Sequence, residues 1–177
     1  MFTVGTYVSY RSEGVCVITD IRKESFNALG KSEDYYILAP LKDINSVLYV
    51  PVNNEALTSK MQSLLPADEI CALADELRTE RMAWIDDSRT RNGALRALLV
   101  AGDRRELIIL VNTIIDRIEH APEIGRRVTA GDESTLKRAI KMLVDEFSAT
   151  TDIAGEDELL GVLKGEHRCR PKSLEPA

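Results

Sequence analysis

The hydrophobic rhythm of this chain changes about a third of the way along. In the opening stretch, "MFTVGTYVSYRSEGVCVITDI", Val4, Val8, Val15, Val17 and Ile21 recur at close to alternating positions, the spacing of strands that bury one face. Gly5 and Gly14 punctuate the run where a turn needs a residue without a Cβ. "YYILAPL" and "SVLYVPV" add two strand-like runs, "NALGKSED" reads as a hairpin loop, and Pro51 belongs near a strand edge or end. Short strands at this spacing predict a small Tudor-like or SH3-like β-barrel over residues 1–65.

After Pro66, itself well placed to open a helix, the period becomes that of a helix. Ile70, Leu73, Ala74 and Leu77 form the first apolar stripe, and Leu95, Leu98 and Leu99 a second behind a cap at Asp87 or Ser88. Asp103 caps a third helix, with Glu106 at capping-box spacing and Leu107, Leu110, Val111, Ile114, Ile115 and Ile118 on its buried face. Beyond the connection "APEIGRRVTAGD", Asp132 is the expected cap of a fourth helix whose stripe is Leu136, Ala139, Ile140, Leu143, Val144 and Phe147. "EDELLGVL" predicts a short last helix. The expected fold is therefore α+β: a barrel, an all-helical domain of four to five helices over residues 66–165, and a mobile tail over 166–177.

Composition narrows the function classes. Seven of the nine aromatic residues precede residue 50, which raises the possibility of an aromatic cage for a methylated cation; burial of large rings in a small core is the stronger reading. Cys16, Cys71 and Cys169 are odd in number and scattered, so neither a disulfide framework nor a zinc site is expected, and His167 beside Cys169 is read as chance. Asp86 and Asp87 are read as helix-capping residues before metal ligands. No GxGxxG, P-loop, HExxH or GxSxG motif occurs, and His120 and His167 lack partners at motif spacing. An enzyme is not expected, nor a cofactor, a metal or a small-molecule ligand. The absence of a long apolar run or of a secretory pattern argues against a membrane role and for the cytoplasm.

One segment departs from the overall net charge of −6. From residue 78 to 105, Arg78, Arg81, Arg89, Arg91, Arg96, Arg104 and Arg105 stand against Glu80, Asp86, Asp87 and Asp103, seven minus four, or +3. A planar guanidinium suits phosphate, although a solvated helix face reads equally well. Trp84, the only tryptophan, lies within this segment. It is placed to meet bases, but it also follows Leu77 by seven on the core stripe.

"FTVGTYVSYRSEGVCVI", then "YYIL", then "VLYVPVNN", followed by "AGDRREL" and its helices, resembles the CarD-like (CarD/CdnL) bacterial transcription factors over most of the chain to about residue 165. The barrel alone also resembles the polymerase-interacting domain of transcription-repair coupling factors. The resemblance implies a regulator whose barrel binds the β subunit of RNA polymerase by strand pairing, here through Val47, Leu48, Tyr49, Val50 and Pro51 with Glu24 nearby. It further implies a helical domain that contacts promoter DNA without sequence specificity at the upstream edge of the transcription bubble, stabilising the open complex. The DNA-contacting candidates are Arg81, Trp84, Arg89, Arg91 and Arg96. Tyr49 stands where some relatives carry arginine, and their wedging tryptophan aligns near Ser88 instead of Trp84. The alternative is a polymerase-binding adaptor whose helical domain binds another protein.

Overall fold

The computed structural model describes residues 1–10, 13–26, 32–43, 45–121 and 128–172. Residues 27–31 of the expected hairpin loop (27–34) and residues 122–127 of the expected connection (121–132) lie outside the described residues. The chain falls into two compact units, Met1–Leu64 and Leu65–Ala177.

The first unit is an antiparallel sheet of five strands in the order β4-β3-β2-β1-β5. Its strands are β1 (Tyr7–Tyr10), β2 (Val15–Glu24), β3 (Glu33–Pro40), β4 (Leu48–Pro51) and β5 (Met61–Ser63). Alternation places Val8, Cys16, Ile18, Tyr36, Leu38, Val50 and Met61 in one buried cluster. Val4 is an exception to the expected pattern: it is exposed, because the positive φ of Gly5 turns the chain before β1 begins. The register of β2 on β3 shifts between Ile18 and Asp20, a bulge that bends the ten-residue strand. Among the described residues β4 and β5 do not pair, so the five-stranded sheet keeps β4 and β5 as its two edges, as a Tudor-like arrangement with an edge at Pro51 requires. A short helix, α1 (Glu55–Thr58), follows β4, with the Asn54 side chain accepting from Leu57 N.

The second unit is helical: α2 (Ala67–Glu76), α3 (Ser88–Ala101), α4 (Arg104–Glu119), α5 (Ala130–Phe147) and α6 (Glu156–Lys164). Their stripes interlock in one core that includes Ile70, Leu95, Leu107, Ile114, Leu143 and Phe147. Asp87 caps α3 by accepting from Thr90 N, and Asp103 caps α4 by accepting from Glu106 N, both as expected. The cap of α5 is not Asp132. Thr129 caps it, and Asp132, three residues on, closes a capping box while its carboxylate turns inward.

The expectation that the cysteines form no disulfide is corrected. Cys71 of α2 and Cys169 form a disulfide across 98 residues of sequence. An odd number and a wide scatter do not exclude a pair, because residues far apart in sequence meet once α2 and the end of the chain pack together. Residues 166–172, within the segment expected to be a mobile tail, are hydrogen-bonded back to the helical unit. Glu166 N and His167 N donate to Gly161 O, Arg170 N donates to Asp152 Oδ1, and Lys172 N donates to Thr150 O. Residues 173–177 lie outside the described residues. Among the described residues no helix is long and apolar enough to cross a membrane.

Candidate functional site

Two surfaces, one in each unit, hold the residues singled out from the sequence. In the sheet, β4 is an edge strand paired only with β3, with Tyr49 opposite Ile37 and Pro51 opposite Tyr35. Val52 N donates to Asp34 O. The alternation of an antiparallel ladder then turns Val50 and Leu48 toward β3 and leaves the backbone N–H and C=O of Tyr49 facing away from the sheet. Pro51 supplies no donor, so the open edge is short.

The side chains sort by the same alternation. Val50 is buried in the sheet core and Leu48 packs against it, so neither side chain is offered to a partner. Val47, just before β4, is 50% exposed and Tyr49 39% exposed. Glu24, at the end of β2, accepts from Arg22 at 2.7 Å. One residue of this surface carried no strand signal in the sequence: Phe26 is 58% exposed. Its ring meets Tyr35 at 5.3 Å and Tyr49 at 4.9 Å between centroids, edge to face. A large aromatic isolated in the polar run "KESFN" is the signal that could have flagged it. The three rings pack edge to face on one another as a continuous cluster on the surface of the sheet.

In the helical unit the five residues read as DNA-facing are not brought together. Arg91 is 4% exposed, and its guanidinium donates to both carboxylate oxygens of Asp132 at 2.8 Å. It also donates to the carbonyls of Ile85 and Asp86. Burial pushes the Asp132 carboxyl up, but hydrogen bonds from Arg91 and Thr129 together outweigh it and hold the group below its ordinary value. Arg91 is therefore an internal brace, whose side chain is not available to a phosphate. Trp84 lies in the coil between α2 and α3, not at a helix end. Its ring is partly buried between Arg91, 4.4 Å from the centroid, and Arg117, 4.9 Å. Below it lies an apolar cavity of about 240 Å³ bordered by Met82, Leu95, Leu98 and Ile114. The coil is pinned by buried polar side chains of α4: Asn112 donates to Leu77 O, and Thr113 accepts from Met82 N.

Most of the arginine segment is paired with acids, one of them three residues away and the others distant in sequence. Arg78 is paired with Asp75, Arg81 with Asp116, Arg104 with Glu146 and Arg105 with Glu76. Among the described residues, only Arg89 and Arg96 of the seven lack a carboxylate partner. Both are exposed, seven positions apart on α3, opposite the face that buries Leu95 and Leu99. The first turn of α3 holds no acidic residue. Arg89 adds to the positive end of the helix dipole, and the N-cap carboxylate of Asp87 offsets part of that charge.

Cys16 is buried and its thiol is pushed up to about 11, first by burial and then by Glu13, which leaves it unreactive. Among the described residues there is no cluster of three or more His, Cys, Asp or Glu placed to hold a metal. Asp87, one of the two acids weighed as a ligand, accepts from Thr90 N in its capping role.

The sheet unit coincides with a known family. Residues 2–64 match the model of the CarD-like/TRCF RID domain. The first compact unit is a CarD-like RID domain. The RID domain belongs to a protein-interaction family, not an enzyme family, and supports a transcription-related, RNA-polymerase-binding role for the sheet unit. Its boundary coincides with the division at Leu64, so the match covers the sheet and stops where the helical unit begins. None of the curated proteins matches the chain.

Proposed function

We propose that this chain is a cytoplasmic transcription regulator that binds the β subunit of RNA polymerase through β4 and promoter DNA through α3, and stabilises the open complex. The observation that carries the reading is an open edge strand within a matched RID domain. An edge strand offers unpaired backbone groups, so a partner strand can extend the sheet with few demands on side-chain identity. Arg89 and Arg96, exposed and without carboxylate partners, support a phosphate contact on the helical unit. The expected contact is sequence-independent, since it rests on charge and not on groups that read base edges.

Such a factor needs no catalytic group. Binding the open state more tightly than the closed one shifts the equilibrium by the difference in affinity. A grip on polymerase raises the effective concentration of the DNA contact, which can then be weak on its own. The internal pairing of five arginines favours one second reading, an adaptor whose helical unit binds a protein. Forked promoter DNA distinguishes the two. Affinity of the full chain that falls with salt, together with longer-lived open complexes, supports the regulator. Polymerase binding with no salt-dependent DNA affinity supports the adaptor.

A further inference from the structure

We propose that Phe26, Tyr35 and Tyr49 form a platform that receives a lysine or arginine side chain from the strand docked on β4. The inference rests on the polymerase-binding reading and adds the chemistry of the residue recognised. Two of the three rings are substantially exposed, at 58% for Phe26 and 39% for Tyr49, while Tyr35 lies beneath them at 8%. Tyr35 and Tyr49 are 6.5 Å apart, and Phe26 contacts both. The cluster is thus continuous and borders the open edge.

Strand geometry connects this cluster to the edge. Tyr49 directs its backbone N–H and C=O outward, and its side chain lies on the same face as Tyr35 and Phe26. A residue paired directly opposite Tyr49 on an added strand projects from that same face. Its Cβ would lie about 4.5–5.5 Å from that of Tyr49, which brings a long side chain across the exposed ring surfaces.

The electrostatic surroundings select the sign of that side chain. Asp20, Arg22 and Glu24 of β2 alternate onto this face, and Glu33 is the cross-strand partner of Glu24. The single guanidinium is engaged by Asp20 at 3.3 Å and by Glu24 at 2.7 Å. Three carboxylates against one cation leave the face acidic. Aromatic faces attract cations through their quadrupole, and the acidic border adds to that attraction. An anionic residue meets repulsion from both.

The test is a titration of the full chain with RNA polymerase core enzyme at low salt, with thermal melting recorded for each variant. F26L combined with Y49L keeps the edge N–H and the apolar character and removes the π faces; binding about tenfold weaker is expected. F26L alone, at the most exposed ring, provides the same reading if the double variant melts early. D20N combined with E24Q frees the charge of Arg22 and removes two acids, and should weaken binding severalfold. Leucine variants that bind like wild type overturn the platform while leaving edge pairing intact. Tighter binding by D20N/E24Q overturns the cationic assignment. A wild-type chain that does not bind polymerase overturns the functional reading itself.

Discussion

Arg91 and Asp132 form a buried pair whose chemistry follows from satisfying every hydrogen-bonding group. The guanidinium gives two bonds to the carboxylate and two to backbone carbonyls of the coil that carries Trp84. Removing one partner leaves the other charge buried and uncompensated, which typically costs ~3–5 kcal/mol. Asp132→Asn should therefore lower the thermal midpoint of the helical unit by more than any exposed acid-to-amide change. The pair also sets a pH dependence. The folded-state pKa of Asp132 is lowered, so its contribution is present above the unfolded value, near ~3.9, and is lost as pH falls through the folded value. Denaturant midpoints followed from neutral to acid pH should fall less steeply in Asp132→Asn than in wild type. Trp84→Ala should destabilise by less than the ~3–5 kcal/mol of a fully buried aromatic, because the ring is only partly covered. It should also disturb α3 by unstacking Arg91. Open-complex lifetime and melting temperature, measured on the same variant, should fall together. Lost activity with an unchanged melt would instead assign Trp84 a direct DNA role.

At the scale of the element, β4 and α3 each divide their residues between a buried and an exposed face. Strand β4 keeps Val50 and Leu48 for its own core and presents Val47, Tyr49 and backbone groups outward. Val47→Asp should weaken binding of the polymerase β subunit in a direct binding assay and leave the melt unchanged, because the side chain is exposed. Helix α3 buries Arg91, Leu95 and Leu99 and leaves Arg89 and Arg96 on the opposite face. Replacing Arg89 and Arg96 together with alanine should flatten the log–log salt dependence of binding to forked DNA by about 1–2, at roughly 0.9 per duplex phosphate contact. An unchanged slope would move the helical unit to the protein-adaptor reading.

At the scale of the whole molecule, each unit has its own core, and the Cys71–Cys169 bond belongs to the helical one. A crosslink across so long a stretch of chain stabilises chiefly by restricting the unfolded state, typically by ~2–4 kcal/mol. Reduction, or Cys71→Ser, should lower the midpoint of the helical transition by several degrees and leave that of the sheet unit in place. Thiol counting by mass spectrometry before and after reduction provides the chemical control. A reducing compartment opposes this bond. Even without it, backbone bonds from residues 150–152 still hold the terminal segment.

Much of the fold was readable from local physics. Period-two alternation located the strands, the 3.6-residue stripe located the helices, and Asp87 and Asp103 marked two helix starts, because each of these signals acts within a few residues. Pro51 also pointed to an edge at β4, whereas the exposed ring of Phe26 and the fate of the arginines were not readable in this way. A count of charges over residues 78–105 gives +3, yet the acids that neutralise Arg81, Arg91 and Arg104 lie on α4 and α5, and only packing brings them near. The cysteines follow the same rule, with 98 residues of sequence closed to a single bond by the docking of α2 against the end of the chain. Sequence alone determined which segments form strands and helices and which faces they bury. Tertiary structure decided which charges and edges remain free for a partner, because that depends on contacts between residues that no sequence window contains.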